Sequence, residues 1–99
     1  MIIIDAKRWF DRKYGNTYHS VSVSVDGKHI GRVDFAYGYG EQYLQSAHEI
    51  LMNAGIFPRT GEHFKSGANK DYSGFMDDMR NNRDKYHVTC ADVSRKKDL

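Results

Sequence analysis

The chain contains one cysteine, one proline and only a small excess of positive charge. The lone Cys90 rules out an internal disulfide framework and is typical of proteins in a reducing compartment. A net charge of +2 argues against an acidic mimic of nucleic acid and does not by itself indicate a nucleic-acid-binding protein. The apolar start, residues 1–4, is too short for a signal peptide or a membrane span. We therefore expect a cytoplasmic protein with no membrane partner.

Ninety-nine residues suffice for one domain with a single core. We expect this domain to cover residues 1–94 and a polar tail, residues 95–99, to fray from its end. The sequence has no internal repeat and no low-complexity segment.

The stretch from Tyr14 to Phe35 has the clearest strand pattern in the chain. Val21, Val23 and Val25 alternate with serines, which predicts a strand with one buried and one exposed side. Residues 2–13 predict an edge strand that buries Ile4, Ala6 and Phe10.

A two-residue turn at Gly15-Asn16 would join these two strands and pair Phe10 with Val21. The next turn contains Asp26-Gly27. A two-residue loop there would place charged residues on the valine side, so we expect a three-residue loop with a bulge. That loop brings four residues to the valine side: Gly31, Val33, Phe35 and Tyr37.

Helical spacing of apolar residues over 41–54, followed by Gly55 and Pro58, predicts a helix that covers the valines. Residues 59–74 lack periodicity and predict a long loop. Ser73 is a candidate cap for a shorter helix near 75–83, and alternation at Tyr86, Val88 and Cys90 predicts a last strand beside the first. The predicted class is α+β, with an antiparallel sheet of about four strands, one main helix and one short helix.

No metal site, cofactor or catalytic motif is predicted. The five histidines lack the spacing of metal ligands, and glycine-rich phosphate loops and nucleophile motifs are absent. Two interpretations of His19 remain open: a satisfied buried imidazole, or part of a pocket with Tyr37 and Tyr39. The second would suit a small nucleotide-binding protein or an enzyme that uses the turn Tyr37–Gly40.

The side of the sheet opposite the valines is the stronger candidate for binding. An exposed tryptophan among hydroxyl and basic groups can stack on a base or anchor a protein contact. The second helix or the long loop would instead cover this side if Phe64, Phe75, Met76 and Met79 packed on it. The candidate binding residues are Trp9, Tyr18, Arg32, Arg59, Lys65, Lys70 and Tyr72.

Residues 14–19 (YGNTYH), residues 37–40 (YGYG) and the helix that ends in Ala54-Gly55 resemble small proteins encoded by phages and other mobile elements. The resemblance covers about sixty residues and carries no site residue. It implies a phage accessory role, such as action against host defence. We expect a non-catalytic protein that binds a host protein or nucleic acid, with homodimerisation as a further alternative.

Overall fold

The computed structural model describes residues 1–56 and 72–99. These residues form a sheet with the strand order β3-β2-β1-β4 and two helices, which confirms the α+β class. The strands are β1 (Ile2–Asp11), β2 (Asn16–Val25), β3 (Lys28–Tyr37) and β4 (Tyr86–Val93). The helices are α1 (Gln42–Asn53) and α2 (Tyr72–Asn81), and single 3-10 turns lie at Arg83–Lys85 and Lys96–Asp98.

β4 lies beside β1, as expected, but runs parallel to it. The prediction of an antiparallel sheet is therefore wrong for this pair, and the sheet is mixed. β3 ends at the same end of the sheet as β1, and the chain then returns through both helices to the start of β1, where Ile2 pairs with Tyr86. A strand that starts from that end can only run parallel to β1.

The core lies between the helices and the side of the sheet that carries Val21 and Val23, here called the valine face. Ile4 and Ala6 of β1 pair with these two valines, and all four side chains are at most 1% exposed. Leu51 of α1 and Phe75 of α2 are fully buried against them. Each of these side chains except Ala6 contributes roughly 1.5–3 kcal/mol by leaving water, so this layer is the main source of stability.

The predicted register of β1 and β2 is wrong by four residues. Asp11 pairs with Asn16, Phe10 pairs with Thr17, and residues 12–15 form the loop. The Asp11 carboxylate accepts a hydrogen bond from the Lys13 backbone N–H at 2.9 Å, and the Asp11 carbonyl accepts one from Gly15. Because the register of β1 and β2 changes by an even number of residues, every side chain keeps its predicted face. The change moves Phe10 beyond the core, where it is 54% exposed.

The turn between β2 and β3 has two residues and not the expected three. Asp26 and Gly27 both have positive φ, 51° and 83°, and Val25 pairs with Lys28. This is the pattern of a type I′ turn. The expected bulge lies further along, between Val23 and Ser24, and it brings Gly31 and Val33 opposite the valines as predicted.

A second register shift lies between His19 and Val21 and was not predicted. It reverses the alternation of β3 once more, so that Tyr37 pairs with Tyr18 and Phe35 stacks on the Tyr18 ring. Phe35 and Tyr37 therefore do not join the valine face, and that part of the prediction is wrong. They lie on the opposite side of the sheet with Tyr18, Ser22 and Ser24, here called the serine face.

Helix α1 matches its predicted bounds to within a residue at each end. The N–H of Gly55 bonds to the Met52 carbonyl, and the N–H of Ile56 bonds to that of Leu51, which closes the helix as a Schellman motif. Helix α2 begins at Tyr72, so Ser73 lies inside it and the predicted cap is wrong. Residues 57–71 of the predicted loop lie outside the described residues.

A buried carboxylate joins α2 to β4. Asp78 is 0% exposed and accepts hydrogen bonds from the Tyr86 hydroxyl and, at 3.1 Å, from Asn82 Nδ2. Lys85 Nζ lies 3.4 Å from both carboxylate oxygens. Burial and the neighbouring Asp78 raise the pKa of Tyr86, so its hydroxyl remains a donor at neutral pH. A buried charge with this many partners fixes the position of α2 on the sheet.

We expect Tyr86→Phe to lower the free energy of unfolding by about 1–3 kcal/mol, because Asp78 loses a buried donor. Urea unfolding followed by circular dichroism measures the change. Thr89→Val on the same strand is the control, because its hydroxyl bonds to Asp5 on the exposed side. Equal effects of the two substitutions would contradict this role for Asp78.

Candidate functional site

Three aromatic rings form a row across the serine face, one from each of three adjacent strands. Trp9 of β1 stacks on Tyr18 of β2 at 5.8 Å between ring centroids, and Tyr18 stacks on Phe35 of β3 at 4.6 Å. Tyr37 contacts Tyr18 edge to face at 5.7 Å. Because the rings stack on one another, Tyr18 has no free ring face for a base, and this aromatic row (Trp9, Tyr18, Phe35) presents mainly ring edges.

The C-terminal tail crosses the serine face. Lys96 Nζ lies 4.8 Å from the centroid of the Phe35 ring. Residue 96 follows β4 and Phe35 belongs to β3, at the opposite edge of the sheet, so the tail must pass over β1 and β2 to make this contact. Ser20, which points to the same side of β2 as Tyr18, is only 1% exposed, in agreement with a covered surface.

This arrangement answers part of the question that the sequence left open about Trp9, because Phe64 and residues 59–71 of the predicted loop lie outside the described residues. Phe75, Met76 and Met79 of α2 pack on the core, so α2 does not cover the tryptophan. Trp9 is half-buried, and Ser94, which immediately precedes the tail, lines a shallow cavity beside it. Within the tail, Lys96–Asp98 form a 3-10 turn, and the fraying of residues 95–99 stays a prediction.

Exposed aromatic side chains concentrate at one end of the sheet. β1, β3 and β4 all finish there, and the loop of residues 12–15 and the turn after β3 lie beside them. Among the described residues, five of the seven large apolar side chains that are exposed lie at this aromatic end, and Met1 and Ile3 are the other two. The five are Phe10, Tyr14, Phe35, Tyr37 and Tyr39, with Tyr14, Tyr37 and Tyr39 each at least 65% exposed.

Charges of both signs surround the aromatic end. Arg8 donates a hydrogen bond to Asp92 at 3.0 Å and another to the Gly40 carbonyl at 2.9 Å, so it braces the turn after β3. Basic groups without an acidic partner in the described part of the chain are Arg12, Lys13, Lys96 and Lys97. Asp11 and Glu41 lie nearby, so the excess of positive charge is small.

The predicted binding residues separate into three groups. Trp9 and Tyr18 belong to the aromatic row. Arg32 lies nearer the start of β3, outside the row, where it pairs with Asp34 at 2.5 Å and lies opposite Ser22. Tyr72 is not in a loop but begins α2, where its ring contacts His48 and Phe75. Arg59, Lys65 and Lys70 lie outside the described residues.

Sequence reasoning missed Phe35 and Lys96. The signal for Phe35 is weak, because its orientation depends on a bulge that no turn residue marks. Lys96 belongs to a short polar segment, and its contact with Phe35 depends on where β4 ends. Tyr14 and Tyr39 carried a clearer signal of exposure, since each is an aromatic residue beside a glycine in a turn.

His19 lies on the valine face at the aromatic end and is 1% exposed. Its Nε2 atom is 2.8 Å from Ser46 Oγ, and its Nδ1 atom has no hydrogen-bond partner. Burial lowers the pKa of His19, and contact with the Gly38 backbone partly opposes the shift. The imidazole is therefore neutral at pH 7, and in the tautomer protonated on Nδ1 its Nε2 accepts a hydrogen bond from the Ser46 hydroxyl.

A histidine bonded to a serine hydroxyl is also the first requirement of a nucleophile and its base. Here Gly38 packs on the imidazole, and its φ of 152° and the nearby Gln42 leave no space for a Cβ. A substrate would have to displace this turn or α1 to reach His19. Tyr37 and Tyr39 are largely exposed whereas His19 is buried, and a pocket formed by the three stays a prediction.

The described part of the chain offers little evidence for a metal site or a reactive cysteine. Residues 1–56 and 72–99 contain no cluster of three or more His, Cys, Asp or Glu that could hold a metal ion. Cys90 is half-buried opposite Ala6, and burial raises the pKa of its thiol. Neither described helix is long and apolar enough to cross a membrane.

Comparison with protein-family models, with curated proteins and with solved structures found no match to this chain.

We expect the tail to contribute measurably to the stability of the folded domain. Lys96→Ala should lower the free energy of unfolding by about 0.5–1 kcal/mol, the usual contribution of an exposed cation–π contact. Deleting residues 95–99 should expose Trp9, the only tryptophan, and shift its fluorescence emission to longer wavelength. Lys97→Ala is the matched control. Unchanged emission and iodide quenching after the deletion would contradict the crossing of the tail.

We also expect His19 to make stability depend on pH. Its folded-state pKa lies below the unfolded value of about 6.5, so the unfolded chain binds more protons between the two values. Stability is therefore lost as pH falls through about 6.5 and toward the folded-state pKa. His19→Gln, compared with exposed His87→Gln in urea unfolding at about pH 7.5 and about pH 5, should lose less stability on acidification. Equal losses would argue against a buried neutral His19.

Proposed function

We propose that this protein is a non-catalytic binding domain that docks a partner protein on its aromatic end. The observation that carries the proposal is the concentration of five exposed aromatic side chains at one end of the sheet. Tyrosine and phenylalanine are enriched at the centres of protein interfaces, since they bury a large area at a small cost in side-chain entropy. A soluble domain rarely exposes so many together without a binding role.

Charge favours a protein over nucleic acid as the partner. Binding to a phosphate backbone relies on several unpaired Lys and Arg side chains, and here Asp11, Glu41, Asp92 and Asp98 lie among the basic groups. Base stacking also needs free ring faces, whereas the faces in the aromatic row are largely occupied by neighbouring rings and Lys96. Mixed charge around an aromatic centre is the usual composition of a protein interface.

The surface is also well supported from behind. Arg8 ties the turn after β3 to β4 through Gly40 and Asp92. His19 of β2 packs against Gly38 of the same turn and bonds to Ser46 of α1. A docking surface that is already ordered loses less entropy when a partner binds. In this proposal, His19 positions the surface and does not act as a catalytic residue.

A cytoplasmic location, a phage accessory role and homodimerisation stay predictions from the sequence. In a phage setting, the partner of the aromatic end would be a host protein.

The test compares the partners that the full chain and its variants capture. A tagged protein is incubated with a lysate of the source organism or its host, and bound proteins are identified by mass spectrometry. Tyr37→Ala/Tyr39→Ala should reduce recovery of a specific partner at least about tenfold, as expected for the loss of interface aromatics. Ile3→Ala, which removes an exposed apolar side chain at the other end, should leave recovery unchanged.

Two results would overturn the proposal. The first is equal recovery with the double variant and the wild type. The second is tight binding of a labelled single-stranded oligonucleotide that weakens steeply between about 50 mM and about 200 mM salt, since this would identify nucleic acid as the partner.

A further inference from the structure

A second surface, separate from the aromatic end, lies where α2 meets β4. A cavity of about 340 Å³ opens there. Its lining comes from α2, the turn after it and β4: Met76, Met79, Arg80, Arg83, Tyr86 and Val88. The floor is apolar and its methionines can adapt to the shape of an inserted side chain.

β4 is the outer strand of the sheet on this side, and in the described part of the chain it pairs only with β1. The two edges of the sheet differ. β3, the other edge, has two register shifts and exposes Lys28, Arg32 and Asp34, which are features that discourage further pairing. β4 pairs without interruption over eight residues and carries one charged residue, Asp92. It therefore has the regular, nearly uncharged edge on which another strand can be added.

The charge beside the cavity is positive. Arg83 and Arg80 line it, and both are exposed. Arg80 also lies 3.5 Å from Asp77, an exposed pair that stabilises little. Arg83 has no acidic partner among the described residues. An acidic side chain of a ligand would satisfy it through a charge-assisted hydrogen bond.

We propose that β4 and this cavity bind an extended peptide segment of a partner that carries aliphatic residues flanked by acidic ones. The segment adds to β4 as a fifth strand. Alternate side chains of an added strand point to the valine face, where an aliphatic side chain enters the cavity, and an acidic side chain reaches Arg83. A second copy of this chain is a poorer occupant. A symmetric pair of β4 strands is antiparallel, so Arg83 of one copy would lie toward the end of β4 of the other, which is followed by the basic residues 95–97.

The test uses the isotopically labelled full chain and a capped peptide of sequence SEVLVES, with SKVLVKS as the charge-reversed control peptide. Backbone resonances of Arg83–Val93 should shift on titration with the acidic peptide. Arg83→Glu should weaken its binding at least about tenfold, the effect expected when an attractive charge contact becomes repulsive. Arg95→Glu, an exposed arginine at the other end of β4, is the matched control and should change affinity less than twofold.

Strand addition is tested separately with the acidic peptide methylated on alternate backbone nitrogens, which should bind at least about tenfold more weakly because it cannot complete the ladder. Equal binding of the methylated peptide would overturn strand addition. The proposal also fails if the acidic peptide does not bind or if both peptides bind equally. It fails as well if light scattering shows that the resonance shifts accompany dimerisation of the chain. Arg80→Glu serves as the second variant if Arg83→Glu is not folded by circular dichroism.

Discussion

The alternation of buried and exposed side chains along β1 and β2 is the constraint on which the rest of this structure depends. Ile4 and Ala6 meet Val21 and Val23 on one face, and no water reaches them. Both helices are needed to cover that face, which requires the chain to return across the sheet and makes β4 parallel to β1. The opposite face is then left for the aromatic row and the tail.

Two register shifts in β3 determine which of its side chains lie on the serine face. Without the second shift, Phe35 would point toward the core and the row would consist of Trp9 and Tyr18 alone. With it, three rings from three strands stack in sequence and Lys96 closes the outer end. The row is thus a small second core beneath the tail, although Phe35 at its outer end is still 45% exposed. The side chains left free for binding are Phe35 and the other exposed aromatic residues at the end of the sheet. Bulges commonly redirect side chains in this way near functional surfaces.

The two candidate surfaces differ in what holds them in place. The aromatic end is supported by polar contacts of Arg8 and His19 that link a turn to its neighbours. The cavity at β4 depends on Asp78, whose bonds to Tyr86 and Asn82 position α2 against the strand. Each surface thus has its own polar support, and partners at the two sites need not compete. Both supports include groups buried at the cost of their hydration, so each is stable only while its partners remain in place.

The sequence by itself determined the α+β class, the two faces of β1 and β2, and α1 with its C-terminal cap, because these depend on local periodicity and turn residues. It also predicted that β4 lies beside β1. It also identified Trp9, Tyr18 and His19 as residues of interest. Only the tertiary structure decided the direction of β4, the orientation of Phe35, the burial of Asp78 and the path of the tail. Each of these depends on contacts between residues far apart in the chain, and a one-residue shift in strand pairing changes the face on which a side chain lies without leaving a local signal.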